Sequence, residues 1–276
     1  MRSLRPRNIV PLAAGAAGLL FLGACLPELP QRDPYLLKAP PAPAGIREIP
    51  HTFALRMLSE RAVKSVTMTV FDTGSITTRG EGVSSRKSYQ AQVKLAVPAF
   101  LIEHSDKGLI LFGTGLGSAA ERRPGAGLLD VVRFFSTGDY SFHYKQKKSK
   151  NLLRRLVSAG RNPTEVRWII LPFWDPGAIG MLDAFPEAKV VIARSEWDWR
   201  KSKESKPPGP LDPGSFEGKV KFEFVDPRSA PALGAFENGL DLFKDGSLFL
   251  VDLPGRSPGN MGLWANLDEG PVLLTG

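Results

Sequence analysis

The stretch that decides the fold is VRWIILPFWDPGAIGMLDAFPEAKVVIARSEWDW, residues 166–199. It opens with a short, bulky apolar run that predicts a buried strand, and a second such run over 188–193 predicts another. Between them lies a turn rich in proline and glycine, followed by a short helix expected near 178–184. A further helix is predicted over 195–201. Strands that alternate with helices in this way are typical of a layered fold that contains both.

Strand-like runs dominate on both sides of this stretch. Upstream, a helix with a glycine stop is predicted over 151–160, and three strands are predicted over 65–71, 97–104 and 108–113. Downstream, four more strands are predicted over 219–225, 247–253, 261–267 and 271–275. Mixed sheets with inserted helices place the chain in the α/β or α+β class.

The N-terminus differs from the rest of the chain. Arginines precede an apolar run over 9–22, which is shorter than the roughly 18 residues that a bilayer-spanning helix needs. This pattern predicts the hydrophobic region of a signal peptide. The run ends in LGAC, which resembles the bacterial lipobox and implies cleavage before Cys25 and lipidation of its thiol. An ordinary signal peptide is the alternative, although a lipidated thiol also suits a chain whose only cysteine is Cys25.

The predicted organisation is a signal peptide over 1–24, a proline-rich tether over 25–50 and one domain over 51–276. The 42% hydrophobic and 23% charged residues of the 276-residue chain suit a globular domain of that size. These features predict a lipid-anchored protein of the bacterial cell envelope, whose first partner is the membrane lipid that the acylated Cys25 enters.

The formal net charge of +8 is concentrated in a few places. Basic clusters lie at KQKKSK (145–150) and RKSKESK (200–206). Either cluster could contact anionic lipid head groups or an acidic partner, or could be a solvated helix face. Neither one interleaves aromatic residues with its cations, and a lipoprotein would not meet nucleic acid, so nucleic acid is not expected as a partner.

Three stretches together resemble the metallo-β-lactamase-fold hydrolases, and in particular the lactone-cleaving branch that includes the acyl-homoserine lactonases. They are 97–117, which resembles the opening hairpin and its F-D-T-G-L turn; 166–199, where the family carries S/T-H-x-H-x-D-H-x-G-G; and 242–276, which resembles the P-G-H-T-P-G-H segment. The resemblance implies an αββα sandwich with a two-zinc site at one edge. A bridging aspartate would follow Gly276, so the domain is expected to lack its C-terminal part.

The resemblance also implies where the zinc ligands belong. Counting back from FPEA (185–188), the four ligand positions of the turn fall on Phe173, Asp175, Gly177 and Ala178, and the histidine of P-G-H falls on Arg256. Zinc takes nitrogen, oxygen or sulfur donors, and only Asp175 offers one. A second register makes Asp175 a true aspartate position but places a proline where the next histidine belongs. No zinc or other cofactor is therefore expected, with Asp175 as a weak candidate for a single metal.

The sequence also contains a motif that resembles a nucleophilic site. GRSPG (255–259) matches a serine hydrolase elbow, yet the residue after Ser257 is a proline without the N–H that an oxyanion hole needs, which favours a plain turn. His104 is interpreted as packing. Aromatic side chains are expected around the cleft, either in the core or lining an apolar pocket for a small hydrophobic or lactone-like ligand: Phe173, Trp174, Trp197, Trp199 and Trp264.

Three functions are compatible with these sequence features. The first is a membrane-anchored pseudoenzyme, a binding or structural module that has lost its zinc ligands. The second is a hydrolase of the lactonase or β-lactamase type with an altered metal site, and the third is a truncated gene product.

Overall fold

The computed structural model describes residues 64–79, 92–117, 143–202, 213–255 and 257–276. All of them belong to the compact unit Glu48–Gly276. The predicted signal peptide, the tether, Cys25 and Arg256 lie outside the described residues. Within the ranges that are described, no helix is both long and apolar enough to cross a bilayer.

Within these ranges eleven strands form two sheets. The larger sheet contains β1 (Val66–Arg79), β2 (Gln92–His104), β3 (Gly108–Phe112), β4 (His143–Lys145), β5 (Val166–Ile170), β6 (Lys189–Ala193) and β7 (Lys221–Val225). Its strand order is β4-β1-β2-β3-β5-β6-β7. The smaller sheet, in the order β11-β10-β9-β8, contains β8 (Gly239–Asp241), β9 (Leu248–Asp252), β10 (Met261–Leu267) and β11 (Gly270–Leu274).

Three α-helices connect or flank the strands of the larger sheet in the described ranges. They are α1 (Leu152–Ser158), α2 (Pro176–Ile179) and α3 (Arg194–Lys201). Single 3-10 turns lie at Lys148–Lys150, Pro163–Glu165, Leu182–Ala184, Pro213–Phe216 and Pro227–Ser229. The helix expected near 178–184 begins earlier because the Asp175 side chain caps it and Pro176 occupies its first turn.

The larger sheet has an antiparallel half and a parallel half. Strand β1 pairs antiparallel with β2 and β4, and β2 pairs antiparallel with β3. Strands β3, β5, β6 and β7 pair parallel with one another in that order. The carboxyl ends of parallel strands meet at one edge of a sheet, where α/β proteins commonly hold their ligands. The loops that follow β3, β5 and β6 therefore converge at this edge.

Strand β1 runs further than the sequence predicted. The predicted end at Phe71 is a bulge instead, with a register shift between Asp72 and Ser75, after which the strand continues to Arg79. Gly74 adopts a φ of 153°, and a Cβ there would lie 2.6 Å from a methyl carbon of Leu116. The bulge therefore bends β1 against the loop that follows β3.

The hydrophobic core has two main layers on either side of the larger sheet. Alternate residues of each strand face opposite ways. Ile110, Ile170 and Val191 face the smaller sheet and are fully buried against residues such as Leu250 and Leu263. The opposite side chains of the same strands pack beneath the helices, against Leu152, Leu156, Ile179 and Trp197. The described residues thus form three layers of the predicted αββα sandwich, namely one layer of helices and the two sheets.

A buried histidine joins the two sheets at the end away from the parallel edge. His104 Nε2 lies 3.1 Å from Asp245 Oδ2 and 3.0 Å from Ser247 Oγ, just before β9. His104 Nδ1 accepts hydrogen bonds from the backbone N–H groups of Asp106 and Lys107. Because Nδ1 accepts, Nε2 carries the proton and donates it. His104 therefore has a packing and bridging role, in agreement with the sequence interpretation.

The pKa of Asp245 lies below its ordinary value. Burial acts to raise this pKa, but the hydrogen bonds from the Ser247 hydroxyl and backbone N–H, together with His104, outweigh burial. A folded-state pKa below the unfolded value stabilises the fold above the unfolded pKa, near about 4. That stabilisation is lost as the pH falls through the folded pKa.

We expect Asp245→Asn to remove part of the acid sensitivity of the fold, because the variant has no carboxylate to protonate. The free energy of unfolding, measured in urea between about pH 2 and pH 6, should fall less steeply on acidification in Asp245→Asn than in the natural chain. Glu237→Gln, at an exposed position, is the matched control. An identical slope in Asp245→Asn and in the natural chain would contradict this assignment.

Candidate functional site

The turn after β5 lies at the edge where the parallel strands end. Residues 171–175 leave Ile170 and lead directly into α2. The backbone N–H of Gly113, after β3, donates to the carbonyl of Ile170 at 2.9 Å, and the N–H of Met261, at the start of β10, donates to the carbonyl of Pro172 at 2.8 Å. Three distant parts of the chain thus meet at the turn that the sequence singled out.

The loop after β3 is fixed to α2 through Thr114. The Thr114 hydroxyl donates to the carbonyl of Ala178 at 2.9 Å and accepts from the N–H of Met181 at 3.1 Å. Next to it the two backbones touch, because a Cβ on Gly117 would lie 1.6 Å from the carbonyl oxygen of Gly180. Only glycine fits at such a contact, so the sequence here specifies backbone packing.

Helix α3 holds the peptide groups of Trp174 from the other side. Glu196 Oε1 accepts a hydrogen bond from the Trp174 backbone N–H at 2.8 Å. Arg200 Nε and Nη2 donate to the Trp174 carbonyl oxygen at 3.0 and 2.5 Å. Residues four apart lie on one face of a helix, so the pair forms a clamp, here called the Trp174 clamp. Sequence reasoning missed it, although the Glu–Arg spacing in SEWDWRK was the available signal.

The Trp174 side chain anchors an aromatic cluster beneath the clamp. Its ring centroid lies 5.4 Å from that of Trp197 and 5.4 Å from that of Phe216, both with edge-to-face geometry. The expectation that Trp264 belongs to the same group was wrong. Trp264 packs with Phe236 in a separate cluster, because side chains of β10 alternate between the two faces of the smaller sheet.

The four proposed ligand positions lie in this turn and at the start of α2, and their side chains differ in burial and in chemistry. Phe173 is half-buried, and Gly177 and Ala178 belong to the first turn and a half of α2. Asp175 is 6% exposed, and its Oδ1 accepts a hydrogen bond from the Gly177 N–H at 2.8 Å as the cap of α2. Asp175 therefore has a structural role at the helix start.

Gly276 and the loop after β9 complete this edge. A Cβ on Gly276 would lie 2.8 Å from the Phe173 ring, so the strand end after β11 reaches the turn, as the resemblance implies. Arg256, the other position singled out in the sequence, lies outside the described residues. Ser257 accepts backbone hydrogen bonds from Gly255 and Asn260 through its carbonyl, in agreement with a turn.

Three buried oxygen atoms near this edge have no hydrogen-bond partner within the described part of the chain. They are Glu196 Oε2, Ser257 Oγ and Asn260 Oδ1. The segments that carry them are in contact, because a Cβ on Gly259 would lie 2.1 Å from the Glu196 backbone nitrogen. Across the described ranges, no three His, Cys, Asp or Glu side chains come together in a group that could hold a metal.

The chain has distant relatives among proteins of known activity. No family model matches the chain. It is 22% identical over 213 residues to the N-acyl homoserine lactonase AttM of Rhizobium radiobacter, an alignment that covers 75% of this chain and 73% of AttM. The AttM of Azorhizobium caulinodans is 21% identical over the same length, with the same coverage.

Two solved structures of related enzymes are similar to this chain in fold. An N-acyl homoserine lactone hydrolase, with the product N-hexanoyl-L-homoserine bound at its catalytic metal centre, has a TM-score of 0.59 at 18% identity. The alignment covers 78% of this chain and 75% of that one. AiiA from B. thuringiensis, with N-decanoyl-L-homoserine bound at its active site, gives the same TM-score, identity and coverage.

The layers, the strand order and these likenesses define the class of the protein. The domain has the metallo-β-lactamase fold, which confirms the fold predicted from the sequence. The solved structures with this fold that the chain resembles include those of N-acyl homoserine lactone hydrolases.

We expect Glu196→Ala to destabilise the fold by about 1–3 kcal/mol, because it leaves the buried Trp174 N–H without its acceptor. Glu196→Gln keeps a carbonyl oxygen at that place and should retain most of the stability. Asp198→Ala, at an exposed position of the same helix, is the control for helix propensity. The measurement is the free energy of unfolding from tryptophan fluorescence. A loss in Glu196→Ala no larger than in Asp198→Ala would contradict the clamp.

Proposed function

We propose that this chain is a membrane-anchored lipoprotein of the bacterial cell envelope. In this proposal its metallo-β-lactamase-like domain has lost its zinc ligands and acts as a non-catalytic module, a pseudoenzyme. The alternative is a hydrolase of the lactonase or β-lactamase type with an altered metal site. The sequence likeness to AttM favours this alternative.

The observation that carries the proposal is the content of the turn after β5. At its four ligand positions, Phe173, Gly177 and Ala178 offer no side-chain nitrogen or oxygen atom, and the Asp175 carboxylate caps α2. A two-zinc site needs several nitrogen and oxygen donors held about 2 Å from the metal. The described residues do not fit that requirement, so we derive no reaction step through zinc.

His104 does not supply the missing donors. His104 lies at the start of the β2–β3 turn, whereas the candidate site follows the far end of β3. A five-residue strand spans roughly 15 Å. In addition, both ring nitrogens of His104 already have hydrogen-bond partners. This supports a bridging role for His104 and leaves the edge without an imidazole from that strand.

The backbone of the edge supports a binding or structural role. Thr114, the Gly117–Gly180 contact and the Trp174 clamp fix the turn in a defined conformation. Glu196 Oε2, Ser257 Oγ and Asn260 Oδ1 offer hydrogen-bond acceptors, and the aromatic residue Phe173 directly precedes Trp174, whose N–H binds Glu196. We propose a small hydrophobic or lactone-like molecule as the ligand, because an amide N–H of such a molecule could donate to these oxygen atoms while its acyl chain contacts apolar side chains.

The first test measures metal content and lactone hydrolysis on the full chain. After incubation with zinc and dialysis, we expect less than stoichiometric zinc and no hydrolysis of N-hexanoyl-homoserine lactone above the buffer rate. Asp175→Ser keeps a capping oxygen but removes the carboxylate, whereas Asp175→Ala removes both. If Asp175 is only a cap, Asp175→Ala alone loses about 0.5–2 kcal/mol of stability, and neither variant changes the metal content.

Bound zinc at one or two ions per chain, with lactone hydrolysis that chelation abolishes, would establish the hydrolase instead. Loss of that zinc in both Asp175 variants would then assign Asp175 as a ligand.

The second test addresses the anchor. We expect the mature chain, extracted from bacterial membranes, to begin at Cys25 and to carry acyl chains there, because the lipobox directs both cleavage and lipidation. Intact-mass measurement checks both features, and Cys25→Ala should abolish both. A free thiol at Cys25 in the natural chain would show that the segment is an ordinary signal peptide.

A further inference from the structure

The 3-10 turn at Lys148–Lys150 and the helix α1 that follows it lie in a strongly basic part of the described chain. The segment 143–162 contains seven lysines and arginines and no acidic residue. Two of these cations have acidic partners on the larger sheet: Lys150 pairs with Asp72, and Arg161 pairs with Glu103 at 2.8 Å. Four others are exposed and form no ion pair within the described ranges, namely Lys145, Lys147, Lys148 and Arg154.

Apolar groups stand among these cations. Helix α1 buries Leu152 and Leu156 completely against the core, so its other side faces outward. On that side Val157 is 63% exposed, the highest value among the exposed large hydrophobic residues of the described chain. Val157, Leu153, Arg154, Ser149 and Ser158 line an open groove of about 460 Å³. An apolar strip with hydroxyl and cationic neighbours is typical of surfaces that lie in the head-group region of a bilayer.

We propose that this face, formed by the 3-10 turn Lys148–Lys150 and α1, rests on an anionic lipid bilayer. The cations would contact phosphate groups, and Val157 and Leu153 would enter the interface. The inference rests on the proposed membrane anchoring, because a chain held at a bilayer by its N-terminus meets that surface at high local concentration. Charge complementarity favours a bilayer with negatively charged lipids over a neutral one.

The layers of the sandwich determine how the domain would be oriented on the bilayer. Helix α1 covers one face of the larger sheet, whereas residues 233–236 and Trp264 lie on the outer face of the smaller sheet. A domain that rests on α1 therefore turns its smaller sheet away from the lipid. The candidate site, at the edge between these faces, is left open to the side.

The experiment uses the lipidated full chain with Val157→Cys labelled by an environment-sensitive fluorophore. In the lipidated chain the Cys25 sulfur is blocked, so a single label per chain is expected by mass. The labelled chain is reconstituted in phosphatidylcholine vesicles with and without phosphatidylglycerol. We expect a blue shift only with phosphatidylglycerol, and its loss at high salt as the charges are screened. A label at Ala235→Cys, on the opposite side of the sandwich, should not shift.

Charge variants test the cause of the shift. Lys147→Ser, Lys148→Ser and Arg154→Ser together should abolish it, because each cation near an anionic surface contributes roughly fivefold to binding. The matched control is Lys94→Ser, Arg167→Ser and Lys219→Ser, which removes the same charge from exposed positions elsewhere and should keep the shift. Equal spectra in neutral and anionic vesicles, or a shift that survives the first triple change, would overturn the proposal.

Failure of the anchor is distinguishable from failure of this face. Two labels per chain would show that Cys25 is not lipidated. The face would then be tested with Cys25→Ala, Val157→Cys chains added to preformed vesicles. A blue shift with anionic vesicles in that arrangement would support the face without the anchor, and an unchanged spectrum would contradict it.

Discussion

The peptide groups of Trp174 hold the candidate edge of this fold together. The backbone N–H donates to Glu196 and the carbonyl accepts from Arg200, so one turn of α3 fixes the direction in which the chain leaves β5. The indole then lies among Trp197 and Phe216 at 3% exposure. Polar and aromatic contacts thus hold the same residue, Trp174. Its position determines where α2 begins and where α2 contacts the loop after β3.

The sequence predicted the strands whose pattern is local and regular. The runs that became β5, β6 and β10 are bulky and apolar, and their bounds in the structure differ from the predicted ones by a residue or two at most. Strands β4 and β8 were not predicted, since three residues each carry too little periodicity to distinguish a strand from a loop. The sequence predicted that β1 ends where the structure has a bulge. The local sequence contains Gly74 but does not reveal that the Leu116 side chain packs against this glycine.

The sequence predicted where the candidate site lies, but it predicted few of the contacts that form the site. Order along the chain was sufficient to put Phe173 and Asp175 in a turn after a strand, and the structure places them there, with Gly177 in the first turn of α2. The role of Glu196 was harder to predict, because its four-residue spacing from Arg200 indicates a shared helix face but does not identify the backbone N–H of Trp174 as its partner. The role of Asp175 was partly predictable. A capping aspartate has a sequence signature, but the same residue also fits a metal-ligand position.

The hydrogen bond from the Met261 N–H to the Pro172 carbonyl has a consequence for the order of folding. It joins residues far apart in the chain, and contacts of this kind form late because a long loop must close first. During synthesis, the strands before the turn emerge while β10 is still unmade. The face of the larger sheet that carries Ile110, Ile170 and Val191 therefore stays uncovered until the later strands arrive, and exposed apolar surface of that sort invites chaperone binding.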